Sequence, residues 1–198
     1  VVMADSLFDD RVVVMMDVTG WPRVTRVIRT VGLGPDFSGA IPINVMAAAQ
    51  VRGRAVHEAV ASVVRGDLDE AALDPRVRPY VDGYRLFAAE SGCQALAAEV
   101  EVAHPTWRYA GRLDWRGWLR GRRTVLDIKT GAAEGAEYQV AAYVDAWNAQ
   151  HPGERVVSGG IVVVTDDGRY KYREVDLPAA TNVWHAALVV YGARGRRA

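Results

Sequence analysis

Cysteine is nearly missing from this chain of 198 residues: Cys93 is the only one. A single thiol excludes a disulfide within the chain. It also excludes a cysteine-built zinc site and an iron–sulfur cluster. Such usage suits a reducing compartment, and a cytoplasmic protein is expected. Long apolar runs are missing as well. Near the N-terminus the longest is Val12 to Met16, too short for a signal-peptide core or a membrane span, so no membrane partner is expected. Neither sign of charge is in excess, with 24 Lys and Arg against 24 Asp and Glu. That balance argues against a strongly basic coat for nonspecific nucleic-acid binding, but it leaves room for a local patch. Lysine is scarce too: only Lys129 and Lys171 stand among the 24 basic residues. Arginine cannot give up its proton, whereas a desolvated lysine can, which singles out Lys129.

Hydrophobic residues make up 50% of the chain, enough for one sizeable core. The length predicts a single domain over 1–198, with an N-terminal extension over 1–22 and a loose basic tail over 193–198. Residues 11–18 read as a first strand, and 23–33 as a helix with Val24, Val27, Ile28 and Val31 on one side. A Gly- and Pro-containing loop precedes a long helix from Ile43 to Val64. Ala48, Val51, Ala55, Ala59 and Val63 are its expected buried stripe, and Gly66 its stop. Another helix is predicted from Pro75 to Glu90. The period then changes, giving strands at 94–104, 108–115 and 123–130. A helix over 134–150 follows, then strands at 155–165 and 169–175 joined by Asp167-Gly168, then a helix from Pro178 to Gly192. This order predicts a mixed α/β domain whose central sheet is flanked by helices.

The chemistry concentrates in "GRLDWRGWLRGRRTVLDIKTG", residues 111 to 131. Strand alternation puts Val125, Asp127 and Lys129 on one face, with Leu126 and Ile128 on the other. If the two strands pair, Asp114 and Asp127 converge at one edge of the sheet. Two carboxylates 4 Å apart repel by roughly 4 kcal/mol at an effective dielectric of about 20. A divalent cation relieves this, and magnesium favours carboxylate and carbonyl oxygens, the Ile128 carbonyl among them. Lys129 could then orient a water or stabilise charge on a phosphate. A plain Asp127–Lys129 salt bridge is the competing structural account. In the next helix Gln139 and Tyr143 are four apart and share a face, suited to a phosphate or to an ordinary boundary. Arg116, Arg120, Arg122 and Arg123 form either a phosphate-attracting loop or a solvated turn. Trp107, Trp115 and Trp118 could stack on bases or belong to the core.

Taken in order, Gly111-x-x-Asp114, Asp127-Ile128-Lys129-Thr130-Gly131 and Gln139-x-x-x-Tyr143 resemble the PD-(D/E)XK nuclease superfamily, in particular its RecB-like and phage-exonuclease branch. Upstream, "VRGRAVHEAV" (51 to 60) is similar to that branch's helix bearing a metal-binding histidine. "AAEVEVAH" (97 to 104) is similar to its acid-bearing strand, with Glu99 favoured over Glu101. The resemblance implies a restriction-endonuclease-like fold. It implies a metal-dependent exonuclease that cuts DNA with an activated water and leaves a 5′-phosphate, in phage biology or in recombination and repair. A bacterial or phage-infected cell is the implied setting. His57, Asp114, Asp127 and the Ile128 carbonyl would hold Mg2+ or Mn2+. Lys129 would assist the water, and Glu99 would serve a second metal or an outer contact. Gln139 and Tyr143 would hold the DNA backbone near the site, and on the charge reading above Arg116, Arg120 and Arg122 would add phosphate contacts. Leu113 stands where the superfamily name has proline. No phosphate loop of a helicase is present, so a helicase or recombination partner would supply any motor. A structure- or site-specific endonuclease, or a DNA-binding protein with a vestigial site, is the alternative.

Overall fold

The computed structural model describes residues 16–35 and 42–195. Five helices and five strands follow in chain order: α1 (Val24–Val31), α2 (Ile43–Arg65), α3 (Arg78–Ser91), β1 (Gln94–His104), β2 (Tyr109–Leu119), β3 (Arg122–Lys129), α4 (Ala136–Gln150), β4 (Ser158–Val164), β5 (Tyr170–Glu174) and α5 (Leu177–Gly195). The strands form one sheet in the order β1-β2-β3-β4-β5. All neighbours are antiparallel except β3 and β4. That parallel pair needs a crossover, and α4 supplies it. The fold is therefore the expected α/β domain, a mixed sheet flanked by helices. No described helix is long and apolar enough to cross a membrane.

Alternation along β3 sorts the two layers. Val125 packs with α1, α4 and α5, while Leu126 and Ile128 pack with α2 and α3. Helix ends follow their sequence signals. Gly32, Gly66 and Gly92 cap α1, α2 and α3 in the left-handed conformation.

Several boundaries differ from the sequence reading. Residues 16–18 are irregular, and the rest of the expected first strand, 11–15, lies outside the described residues. α3 begins at Arg78 rather than Pro75, because Asp74 accepts from the Arg76 and Val77 amides in a preceding turn. β4 begins at Ser158 because the Asn148 side chain takes both backbone groups of Val156. The expected stripe on α2 holds only in part. Val51 is 58% exposed and Ala48 is exposed. Burial starts at Val56 and continues through Ala59, Val60 and Ala61. The first turns of α2 have no cover among the described residues. Of the expected basic tail, Arg194 donates to the Thr30 carbonyl, whereas Arg196 and Arg197 lie outside the described residues.

Gly111 lets α4 sit directly on β2. A Cβ there would meet Tyr143 Cε1 at 2.5 Å and Val24 Cγ2 at 3.1 Å. Gly111→Ala is expected to destabilise the fold by about 2 kcal/mol through overpacking. Urea denaturation measures this, and an unchanged midpoint would refute the tight packing of Tyr143 on the strand.

Candidate active site

The sheet changes character at Asp114. Strict alternation would put Leu113 and Trp115 on one face. Instead Leu113 joins the α1–α4–α5 layer and Trp115 the α2–α3 layer. The β2–β3 ladder runs from Leu119 opposite Arg122 to Trp115 opposite Leu126, and stops before Asp114 and Asp127. In place of a further ladder bond, the Ile128 amide donates to Asp114 Oδ2 at 2.8 Å. Across on β1, Glu99 has φ of 56°. A side-chain-bearing residue at such an angle is strained, and strain of this kind clusters where side chains have special tasks.

These irregularities gather charged side chains around one cavity of about 490 Å³. His57 comes down from α2, and its Nε2 lies 2.7 Å from the Ile128 carbonyl oxygen. Its Nδ1 is 3.3 Å from Asp114 Oδ1 and 3.6 Å from Glu99 Oε1. His57, Glu99 and Asp114 can each offer one atom to a common metal ion, these atoms all lying within 4.8 Å of one another. Asp127 lines the same cavity but belongs to a separate pair. Lys129 Nζ lies 2.9 Å from its Oδ1 and 2.7 Å from its Oδ2. Oδ2 is nevertheless a buried atom without an aligned donor.

Electrostatics follow from this crowding. Burial opposes a charge on His57, but Asp114 and Glu99 outweigh burial and push its pKa up to about 10. Burial pushes Asp127 up, and the Asp114 charge adds to the effect, against the pull of Lys129. Burial also opposes the Asp114 charge, yet His57, Lys129 and the Ile128 amide together hold its pKa down. Burial opposes the Lys129 ammonium as well, and the two aspartates win, so it stays charged. The sequence argument singled out Lys129 for its capacity to become neutral. Its neighbours hold the proton on.

The residues meet a divalent cation's requirements. One ring nitrogen, carboxylate oxygens and a carbonyl oxygen converge, and a buried carboxylate atom beside them lacks an aligned donor. His57, Asp114 and Glu99 would hold the ion, with the Ile128 carbonyl and Asp127 adjacent.

The expected residues are thus placed unequally. His57, Glu99, Asp114, Asp127, Ile128, Lys129, Gln139 and Tyr143 all come together. Gln139 and Tyr143 line the cavity and are engaged with its lysine side. Gln139 Oε1 accepts from Lys129 at 3.0 Å, and its Nε2 donates to the Tyr143 hydroxyl at 3.2 Å. Tyr143 is buried. The loop arginines are not beside the carboxylates. The hairpin tip lies six residues beyond Asp114, about 20 Å away at the strand rise. Arg116 is spent on Trp147, 4.1 Å from its ring centre, and on Glu154 at 3.5 Å. Arg122 is paired with Glu174. Arg120 packs over Tyr172 at 5.8 Å. Trp115 is core, donating to the Tyr84 hydroxyl, while Trp107 and Trp118 are partly exposed.

Two rim residues were missed. Arg112 Nε reaches Glu99 Oε2 at 2.8 Å, and Arg23 reaches Glu101 Oε2 at 2.7 Å. For Arg112 a signal existed: it stands two residues before Asp114 and shares the site's side of the strand. For Arg23, at the start of α1, nothing local marked it.

No protein-family model matches the chain, and no curated protein matches it in sequence. Among solved structures it is similar to LHK-Exo in complex with dAMP, at 15% identity, covering 89% of this chain and 88% of that one with a TM-score of 0.40. It is also similar to LHK-Exo described as an alkaline exonuclease from Laribacter hongkongensis, at 16% identity, covering 90% and 93% with a TM-score of 0.35. The chain's own elements keep the order of the PD-(D/E)XK resemblance. The histidine helix is α2, the acid strand β1, the Gly-x-x-Asp strand β2, the Asp-x-Lys strand β3 and the Gln-x-x-x-Tyr helix α4.

The His57 shift has a consequence for metal-free protein. Its folded pKa lies above the ordinary 6.5, so its contribution is complete below 6.5 and is lost as pH rises through about 10. In chelator, wild type should lose stability relative to His57→Asn between pH 6.5 and 10. Paired thermal melts across that window test this, and a pH-independent difference would contradict it.

Proposed function

We propose that this protein is a metal-dependent deoxyribonuclease of the PD-(D/E)XK type, acting as an exonuclease on DNA ends and leaving a 5′-phosphate. The observation that carries the reading is the convergence of His57, Glu99, Asp114 and the Ile128 carbonyl beside the buried Asp127–Lys129 pair. An ordinary edge salt bridge accounts for Asp127 and Lys129 alone. It does not account for two further acids and an imidazole turned onto the same space. Magnesium or manganese bound there would supply Lewis-acid polarisation of a phosphate oxygen and a water of lowered pKa.

The chain's own groups do the rest. Asp114 and Glu99, with His57, hold the ion's place. Lys129 is fixed between Asp127 and Gln139, so its ammonium points into the cavity from one direction. There it orients the attacking water and stabilises charge developing on a phosphate oxygen. Gln139 positions Lys129, and Tyr143 holds Gln139 in turn. A cytoplasmic setting in phage biology, recombination or repair, with a helicase or recombination partner, fits the resemblance.

Linear end-labelled duplex and circular single-stranded DNA, each with and without magnesium, test the proposal. Wild type should degrade the linear substrate and spare the circle. Asp127→Asn and Lys129→Ala should each lower the rate by about 10²- to 10³-fold while leaving circular dichroism unchanged, a loss of the size seen when a charge-stabilising group is removed. Cleavage of the circle would convert the reading to an endonuclease. Binding without turnover in either metal would identify a vestigial site. Wild-type rates in either variant would overturn the mechanism.

A further inference from the structure

The site offers an ion one oxygen from each of its two carboxylate ligands. Asp114 Oδ2 is taken by the Ile128 amide, leaving Oδ1 toward His57. Glu99 Oε2 is taken by Arg112, leaving Oε1 toward His57. The strained backbone at Glu99 aims that side chain inward, and Arg112 sets its rotation. The two locks differ in kind. The amide belongs to β3 and cannot be removed. Arg112 has a side chain 58% exposed, lines the cavity, and makes its ion pair there with Glu99.

Carboxylate denticity separates the common divalent cations. Calcium takes six to eight oxygens at loose distances and uses bidentate carboxylates readily. Magnesium takes six in a near-ideal octahedron, one oxygen per carboxylate, and keeps several waters. We propose that Arg112 is a positioning residue that selects the ion. By holding Glu99 Oε2 it keeps Glu99 monodentate, and so favours a small octahedral ion over calcium. This rests on the metal-dependent reading above and adds to it how the ion is chosen. The Arg112 guanidinium suits the task. Its donors are fixed in a planar fork that matches a carboxylate oxygen pair, and it has no atom that could ligate a cation.

Removing Arg112 also removes one positive charge, which alone would tighten binding of every cation. The test must therefore separate charge from geometry, and Arg23 provides the comparison. It lines the same cavity, carries the same charge and pairs at 2.7 Å with Glu101, which is not a candidate ligand. Calorimetric titration of metal-stripped full-length protein gives Kd for magnesium and for calcium, with no reliance on cleavage. In Arg112→Ala the ratio of calcium Kd to magnesium Kd should fall about tenfold, the lower end of what loss of an outer partner does to a metal site. Arg23→Ala should move both constants together and leave the ratio within about twofold, because a charge that holds no ligand carboxylate acts on both ions alike. Arg112→Lys, which keeps a charged donor, should restore part of the ratio. An unchanged ratio in Arg112→Ala, or an equal change in Arg23→Ala, overturns the inference while the nuclease reading stands. Should wild type bind neither ion, both fall together. Arg112→Ala is expected to melt near wild type; should it not fold, the Arg112→Lys and Arg23→Ala ratios decide, since the lock requires the two to differ.

Discussion

Two aspartates that the fold withdraws from water set the terms for everything around them. Asp127 is 1% exposed and Asp114 is 9% exposed, and each lines the same cavity. An isolated buried carboxylate would give up its charge, and a repelling pair is harder still to hold. The surroundings respond with an alternating series of charges. Lys129 answers Asp127, His57 answers Asp114 and Glu99, Arg112 answers Glu99 from outside, and Arg23 answers Glu101 at the rim. Of these only the rim pair is largely in water, where an ion pair contributes little to stability. The inner pairs do not make the protein stable by replacing something better. They keep an unfavourable concentration of anions from unfolding it.

The backbone pays for this site in regularity. β2 and β3 pair cleanly from the hairpin tip to Trp115 and Leu126, then part where the aspartates begin. A continued ladder would have filled the gap with backbone bonds. The split instead leaves the Ile128 amide for Asp114 and the Ile128 carbonyl for His57, one residue presenting both polarities into the site. On the other side the apolar layers continue undisturbed. Leu126 and Ile128 hold α2 and α3, while Val125 and Ile161 hold α4. The irregularity is confined to a few residues on otherwise well-packed strands. That confinement is what allows charged side chains to be held to fractions of an ångström.

How much of this the sequence discloses depends on the range of the interaction. Alternation within β3 is local, and it correctly separates Asp127 and Lys129 from Leu126 and Ile128. The four-residue spacing of Gln139 and Tyr143 is local too, and their shared face is real. Their partner is not local: nothing within α4 says that Gln139 will meet Lys129 rather than solvent. The arginines of the hairpin tip show the converse error. Arg120 and Arg122 are close to Asp114 in sequence, but an extended strand carries them away at the full rise per residue, and Glu174 pairs with Arg122. Arg116, on β2 itself, is held by Trp147 and Glu154. The face change between Leu113 and Trp115 is invisible to any periodic reading, because it breaks the period. Glu99 could be chosen over Glu101 only through the family resemblance. Its left-handed backbone has no mark in a residue type that ordinarily avoids that conformation.

The same charges explain how one site can be folded both with and without an ion. In the metal-free form, the proton on His57 puts a positive charge between Asp114, Glu99 and the Ile128 carbonyl, where the donor set would direct a cation. A metal ion at this place would compete with that proton, because the imidazole must lose its Nδ1 proton before it can ligate. Lys129 is coupled to the same change. Its proton is retained because two aspartates face it, so any cation that draws on those carboxylates weakens the hold on the lysine proton. Arg112 sits on the outer oxygen of Glu99, on the side away from the imidazole. On the proposed reading, the site would have two kinds of positive group: those that yield to a metal ion, and one that keeps the carboxylate in place while they yield.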